Sequence, residues 1–192
     1  MKKILIGGIV AGIIIFIWQT LSWTVLELHR SSQDYTPKQD SVLAYLSSQF
    51  SEDGAYFLPT YPPGATQEQM EAMMTAAMGK PWAQVYYHKA LDYDMVSNII
   101  RGLLTNLVFA ILFCWMVAKF SNNSFGTTFA ASLCMGIIVF SNSVYTQHIW
   151  YHSFDLGAHL TDYLVSWGAA GVWLGWWMNR RRQLRLGLYT GL

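Results

Sequence analysis

Two histidines set four residues apart, His148 and His152, stand in the segment Gln147-His148-Ile149-Trp150-Tyr151-His152-Ser153-Phe154-Asp155. Residues at i and i+4 share one face of a helix. If the preceding helix continues through this segment, the two imidazoles project together, and Asp155 or His159 adds a third donor. Imidazole and carboxylate in such a set suit zinc or copper. The competing reading is a short interfacial loop, where aromatic and polar residues gather at the membrane boundary. No second ligand pair has diagnostic spacing. The base expectation is therefore a chain without a cofactor, with zinc or copper as the alternative at His148, His152 and Asp155.

A second group comprises polar residues inside apolar runs: Gln19, Arg101, Asn106, Ser141, Asn142, Asp162 and Ser166. A charge within a membrane span is costly and turns toward a partner inside the bundle. Arg101 is expected to pair with Asp162 or Asp155, as a structural ion pair rather than a proton or anion site. Nucleophilic catalysis has little to work with. Ser22, Ser31 and Ser32 lack a Gly-x-Ser-x-Gly elbow, and Cys114 and Cys134 have no histidine beside them. Glu27 with His29, and His88 with Asp92 and Asp94, are acid–base pairings that chance supplies among many interfacial residues. The expectation is a protein that is not an enzyme.

The elements that must hold these residues follow from composition. Of 192 residues, 53% are hydrophobic and only 12% are charged, against roughly 25% charged in an average soluble domain. Such a chain cannot cover its apolar surface with polar side chains, so the lipid bilayer is its first partner. A net charge of +1 argues against nucleic acid. Both cysteines lie in apolar runs, which excludes a disulfide framework for the polar part.

Four apolar runs are expected to cross the bilayer, at Ile4–Leu26, about Ser97–Ala118, about Phe125–Tyr145 and about Leu156–Met178. Each suffices for a hydrocarbon core of about 30 Å at about 1.5 Å per residue. The first exceeds a signal-peptide core and lacks a small-x-small cleavage site, so it reads as an uncleaved anchor. The link Lys119-Phe120-Ser121-Asn122-Asn123-Ser124 makes the second and third an antiparallel hairpin. With both termini cytoplasmic, Lys2, Lys3, Lys119, Arg180, Arg181, Arg182 and Arg185 fall inside. All 11 acidic residues and all 5 histidines then fall outside or at the outer ends of spans, as the positive-inside tendency requires.

The expected domains are residues 1–27 (first span), 28–96 (extracytoplasmic domain), 97–179 (spans two to four) and 180–192 (basic cytoplasmic tail). The fold class is a mainly α membrane protein, a four-transmembrane-helix bundle with a small α+β extracytoplasmic domain between helices 1 and 2. In the insert, Thr36-Pro37-Lys38-Gln39 predicts a capped helix start. Tyr56-Phe57-Leu58 predicts a strand closed by Pro59. Thr66 with Gln69 opens a methionine-rich helix that stops at Gly79, and Trp82–Lys89 reads as a second strand. Met70, Met73, Met74 and Met78 recur at helical spacing and form an adaptable apolar face. Gly8 with Gly12, and Gly171 with Gly175, let helices approach closely within the bundle.

The chain resembles a family of small four-span bacterial inner-membrane proteins with an extracytoplasmic insert after the first span. The resemblance rests on Trp18-Gln19-Thr20-Leu21-Ser22-Trp23, Tyr56-Phe57-Leu58-Pro59, Lys80-Pro81 leading to Val85-Tyr86-Tyr87-His88, and Trp150-Tyr151 leading through Phe154 to Asp162 and Trp167. It implies a four-span inner-membrane fold and carries no known activity or site residues. The expected function is a non-enzymatic accessory, assembly or interaction subunit with a protein partner in or at the membrane. The alternative is a small transporter or metal-binding membrane protein using the outer-face His/Asp cluster.

Overall fold

The computed structural model describes residues 1–121 and 123–189, with side chains through Arg180. Asn122 of the short link, and the side chains of Arg181, Arg182 and Arg185 in the basic tail, lie outside the described residues. The protein is mainly helical, with one small sheet. In chain order the elements are α1 (Lys2–Thr24), α2 (Gln39–Gln49), β1 (Gly54–Leu58), α3 (Gln67–Ala77), β2 (Ala83–Tyr87), α4 (Met95–Val117), α5 (Phe125–Val139), α6 (Thr146–Trp150) and α7 (Leu156–Tyr189). A π-helical turn, Phe140–Tyr145, joins α5 to α6.

The chain divides into two compact units, Met1–Asp34 with Asp94–Leu192, and Tyr35–Tyr93. In the first unit, α1 packs against α4 and α7, and α5 packs against α7. Among the described residues, three helical runs are long and apolar enough to cross a membrane: Lys2–Thr24, Met95–Val117 and Phe125–Trp150. The last runs straight through the π turn. Helix α7 is longer, with 34 residues, but more polar, because His159, Asp162 and Ser166 interrupt its apolar residues.

Small residues set the helix spacing. A Cβ on Gly8 would stand 2.6 Å from Ile111 Cα, and one on Gly12 would stand 2.8 Å from Leu107 Cα. Only glycine lets α1 lie this close to α4. The interior beside this seam holds Ala11, Ile15, Ala110, Phe113 and Leu174, all nearly inaccessible. Polar groups fasten the helices where apolar packing alone has no direction. Asn106 Nδ2 donates to Gln19 Oε1 at 2.8 Å. The indole N–H groups of Trp173 and Trp177 donate to the Gly7 and Lys3 carbonyls at 3.0 and 2.8 Å. Ser132 Oγ donates to the Trp167 carbonyl at 2.6 Å.

In the second unit, β1 and β2 pair antiparallel, from Gly54 opposite Tyr87 to Leu58 opposite Ala83. Helix α3 lies between them in sequence and begins with the capping box the sequence announces. The Gln69 N–H donates to Thr66 Oγ1, and the Thr66 N–H donates to Gln69 Oε1. Helix α2 differs from expectation. It starts at Gln39, and its N-cap Lys38 makes no side-chain cap. Thr36 Oγ1 instead accepts from the Lys38 N–H at 3.3 Å, a local turn that competes with helix initiation.

Candidate functional site

The end of α1 reverses sharply. Glu27 takes a left-handed backbone with φ of 48°, uncommon for a residue with a side chain. The Leu28 N–H then donates to the Ser22 carbonyl at 3.0 Å. A short 3-10 turn at Arg30–Ser32 follows. Between the two turns His29 is folded inward and is only 2% exposed. From the other side, Asp155 stands just before α7, and the His159 N–H donates to its carbonyl at 3.1 Å. Asp155, His159 and Asp162 therefore occupy positions i, i+4 and i+7 and share one helix face.

These residues meet. His29 Nδ1 lies 2.7 Å from Asp155 Oδ2, and its Nε2 lies 2.9 Å from Asp162 Oδ2. His159 Nε2 lies 3.3 Å from the same Asp155 oxygen. Trp18 Nε1 donates to the second Asp162 oxygen at 3.0 Å. Trp23 stacks on the His29 ring with centroids 3.9 Å apart and planes 4° from parallel. Ser31 Oγ donates to the Phe154 carbonyl at 3.0 Å, closing the turn over the cluster. Both carboxylates are buried, and a buried carboxylate persists only when paired and hydrogen-bonded. Burial pushes the Asp155 carboxyl up. The hydrogen bond to His29 and the field of His159 outweigh it, and the group is held below the usual carboxylate range.

The donor atoms of His29, Asp155 and His159 all lie within 4.8 Å of one another, the arrangement among the described residues that fits a metal ion. Ser22, four residues beyond Trp18 on the same face of α1, has a buried hydroxyl with no hydrogen-bond partner among the described residues.

The structure thus gives the sequence-derived candidates different companions. Asp155 turns to His29 and His159, away from His148 and His152. Helix α6 stops at Trp150, and Tyr151 is extended at φ −135° and ψ 98°, so the helix does not carry through to His152. The two rings do meet, with centroids 5.0 Å apart. However, His148 Nδ1 accepts from the Ser153 N–H at 3.1 Å, and His152 is exposed. The expected Arg101–Asp162 pair is replaced as well. Both Asp162 oxygens are taken by His29 and Trp18, and Arg101 lies exposed on α4, without an ion pair among the described residues. Asn106 is a polar residue of α4 that turns inward, beside the apolar Ala110, Phe113, Cys114 and Val117. His29 entered the sequence reading only as a neighbour of Glu27, and that glutamate lies 4.0 Å from Arg30 instead.

The second unit presents a different surface. Neither α2 nor α3 contains a buried residue, and Tyr87 is the buried hydrophobic of this unit among the described residues. Phe50 stacks on Tyr56 at 3.9 Å, and the Tyr87 hydroxyl donates to Ser47 Oγ at 3.1 Å. Beyond this small centre, Met73, Pro59, Ala76, Pro81 and Trp82 line an open apolar groove of about 740 Å³. Met78 is 78% exposed and Trp82 is 48% exposed.

The chain matches no family model, no curated protein and no solved structure.

Proposed function

We propose that this chain is a four-span protein of the bacterial cytoplasmic membrane, with both termini cytoplasmic, acting as a non-enzymatic accessory or assembly subunit. Its Tyr35–Tyr93 unit is the extracytoplasmic recognition surface for a protein partner. The observation that carries this reading is the shortage of core in that unit. A domain of this size is marginal even when well packed, and a two-stranded sheet needs a further apolar cover. Here the methionine face of α3 and the indole of Trp82 remain open instead. Flexible methionines adapt to varied apolar surfaces, and tryptophan is enriched among residues that anchor protein interfaces.

The four-span reading is supported by chemistry at the two ends of the helices. Lys2, Lys3, Lys119 and Arg180 belong to one set of ends, and His29, Asp94, Asp155 and His159 to the other. Leu5, Ile13, Ile17, Ile99, Val108, Phe109 and Leu112 are exposed large hydrophobics, a surface suited to acyl chains. Helix α7 joins the spans in this reading, with Asp162 turned to Trp18 of α1.

The test is site-specific photocrosslinking in cells at Met73 or Met78, with Asp40 on α2 as the control position. A discrete adduct of fixed mass that disappears with Trp82→Glu supports the reading. Adducts identical to those from Asp40, or crosslinks to lipid alone, contradict it.

A further inference from the structure

We propose that His29, Asp155 and His159 bind one divalent transition-metal ion of the zinc class, with Asp162 orienting His29 from the outer shell. This site is independent of the recognition surface described above. Bond lengths of about 2.0–2.1 Å in a tetrahedral centre place neighbouring donor atoms about 3.3 Å apart. His159 Nε2 and Asp155 Oδ2 already stand 3.3 Å apart. His29 Nδ1, 2.7 Å from that oxygen, has to withdraw by only about 0.6 Å to reach the same separation.

The surroundings are those of a ligand set rather than of a simple ion pair. A metal-bound histidine usually gives its other ring N–H to a carboxylate, which fixes the tautomer and the ring orientation. His29 does this through Nε2 to Asp162, leaving Nδ1 directed at the position shared with Asp155. Asp162 is itself held by the Trp18 indole, and stacking on Trp23 fixes the plane of the imidazole. A cation seated there takes the place of the proton that otherwise joins Nδ1 to Asp155. The two carboxylates balance a charge of 2+ while both imidazoles stay neutral, so the buried cluster as a whole is uncharged. Three protein ligands leave one coordination position open. It lies on the side of His159, whose side chain is 26% exposed against 2% and 3% for His29 and Asp155.

The experiment uses the full chain in mild detergent, stripped with chelator, then titrated with Zn²⁺ by calorimetry and with Co²⁺ by visible absorption. One equivalent per chain is expected, with the intense d–d bands of a low-coordinate cobalt centre. His159→Ala, the least buried ligand and so the mildest to the fold, should abolish those bands. Asp162→Asn should weaken binding by about 10- to 100-fold while keeping the stoichiometry. The doubly substituted His148→Ala, His152→Ala protein should bind as the wild type does. Absence of stoichiometric metal in the wild-type protein overturns the proposal. So does loss of binding in the His148/His152 protein with retention in His159→Ala.

Discussion

His29 and Asp162 stand 133 residues apart in the chain, yet a ring nitrogen of one lies 2.9 Å from a carboxylate oxygen of the other. Because His29 follows the turn that ends α1, this bond fixes the exit of the chain from α1 onto the first two turns of α7. Trp18 grips the same carboxylate from one and a half turns earlier in α1. Removing the Asp162 carboxylate leaves two donors, at His29 Nε2 and Trp18 Nε1, without their acceptor, and each buried unsatisfied group costs about 1–3 kcal/mol. Asp162→Ala should therefore lower the thermal unfolding midpoint of the detergent-solubilised protein far more than Trp18→Phe. The latter removes one interhelical hydrogen bond, worth about 0.6 kcal/mol. Equal effects of the two substitutions would show that the carboxylate is not the centre of the network.

The seam between α1 and α4 predicts a contrast among glycines. Gly8→Leu and Gly12→Leu place atoms against the α4 backbone, and overpacking of this kind costs about 1–3 kcal/mol. A Cβ on Gly157, in the first turn of α7, would meet nothing within 4 Å. There Gly157→Ala should raise the unfolding midpoint slightly, because alanine favours the helix by about 0.5–1 kcal/mol. Differential scanning fluorimetry of the three variants reads both signs.

In the second unit, Thr66→Ala removes the hydroxyl that accepts the Gln69 N–H. Loss of such a cap costs about 1 kcal/mol. Amide hydrogen exchange by mass spectrometry should show faster exchange in the first turn of α3, with β1 and β2 little changed. Uniform acceleration across the unit would mean that the cap holds more than its own helix.

The ends of the two strands are tied by Asp53, whose carboxylate accepts from the Lys89 N–H at 2.9 Å and lies 3.6 Å from His88. The Lys89 N–H holds the Asp53 carboxyl below the usual carboxylate range. A folded-state value below the unfolded one contributes stability above the unfolded pKa and loses it as pH falls through the folded pKa. The group is fully exposed, so the effect is small and local. Exchange at the C-terminal end of β2 should quicken on acidification in the wild type and be pH-insensitive, and already fast, in Asp53→Asn after correction for intrinsic rates.

Much of this arrangement follows from local pattern, and the rest from long-range geometry. Long apolar runs mark α1, α4 and the Phe125–Trp150 helix, which are long and apolar enough to cross a membrane. Thr66 and Gln69 mark α3 because a capping box is complete within four residues. Thr36 misleads, since the same hydroxyl also serves a turn. The sequence singles out Asp155, His159 and Asp162 individually, but in different groups, Asp155 and His159 with His148 and His152, and Asp162 with Arg101. The residue that joins them is His29. His29 reaches them only because Glu27 adopts a left-handed conformation for which glutamate has no preference, so the residue type gives no sign of it. Arg101 shows the opposite case: its charge predicts an inward place, yet it is exposed on α4, and Asn106 takes the place beside Gln19.

Sidedness underlies the whole reading and is directly measurable. With Cys114 and Cys134 replaced by serine, single cysteines are introduced as Glu52→Cys and, separately, as Lys119→Cys. Both are probed with a membrane-impermeant maleimide in spheroplasts and in inverted vesicles. Labelling is expected at 52 in spheroplasts only and at 119 in inverted vesicles only. Labelling of both positions from the same side, or the reverse pattern, would contradict it.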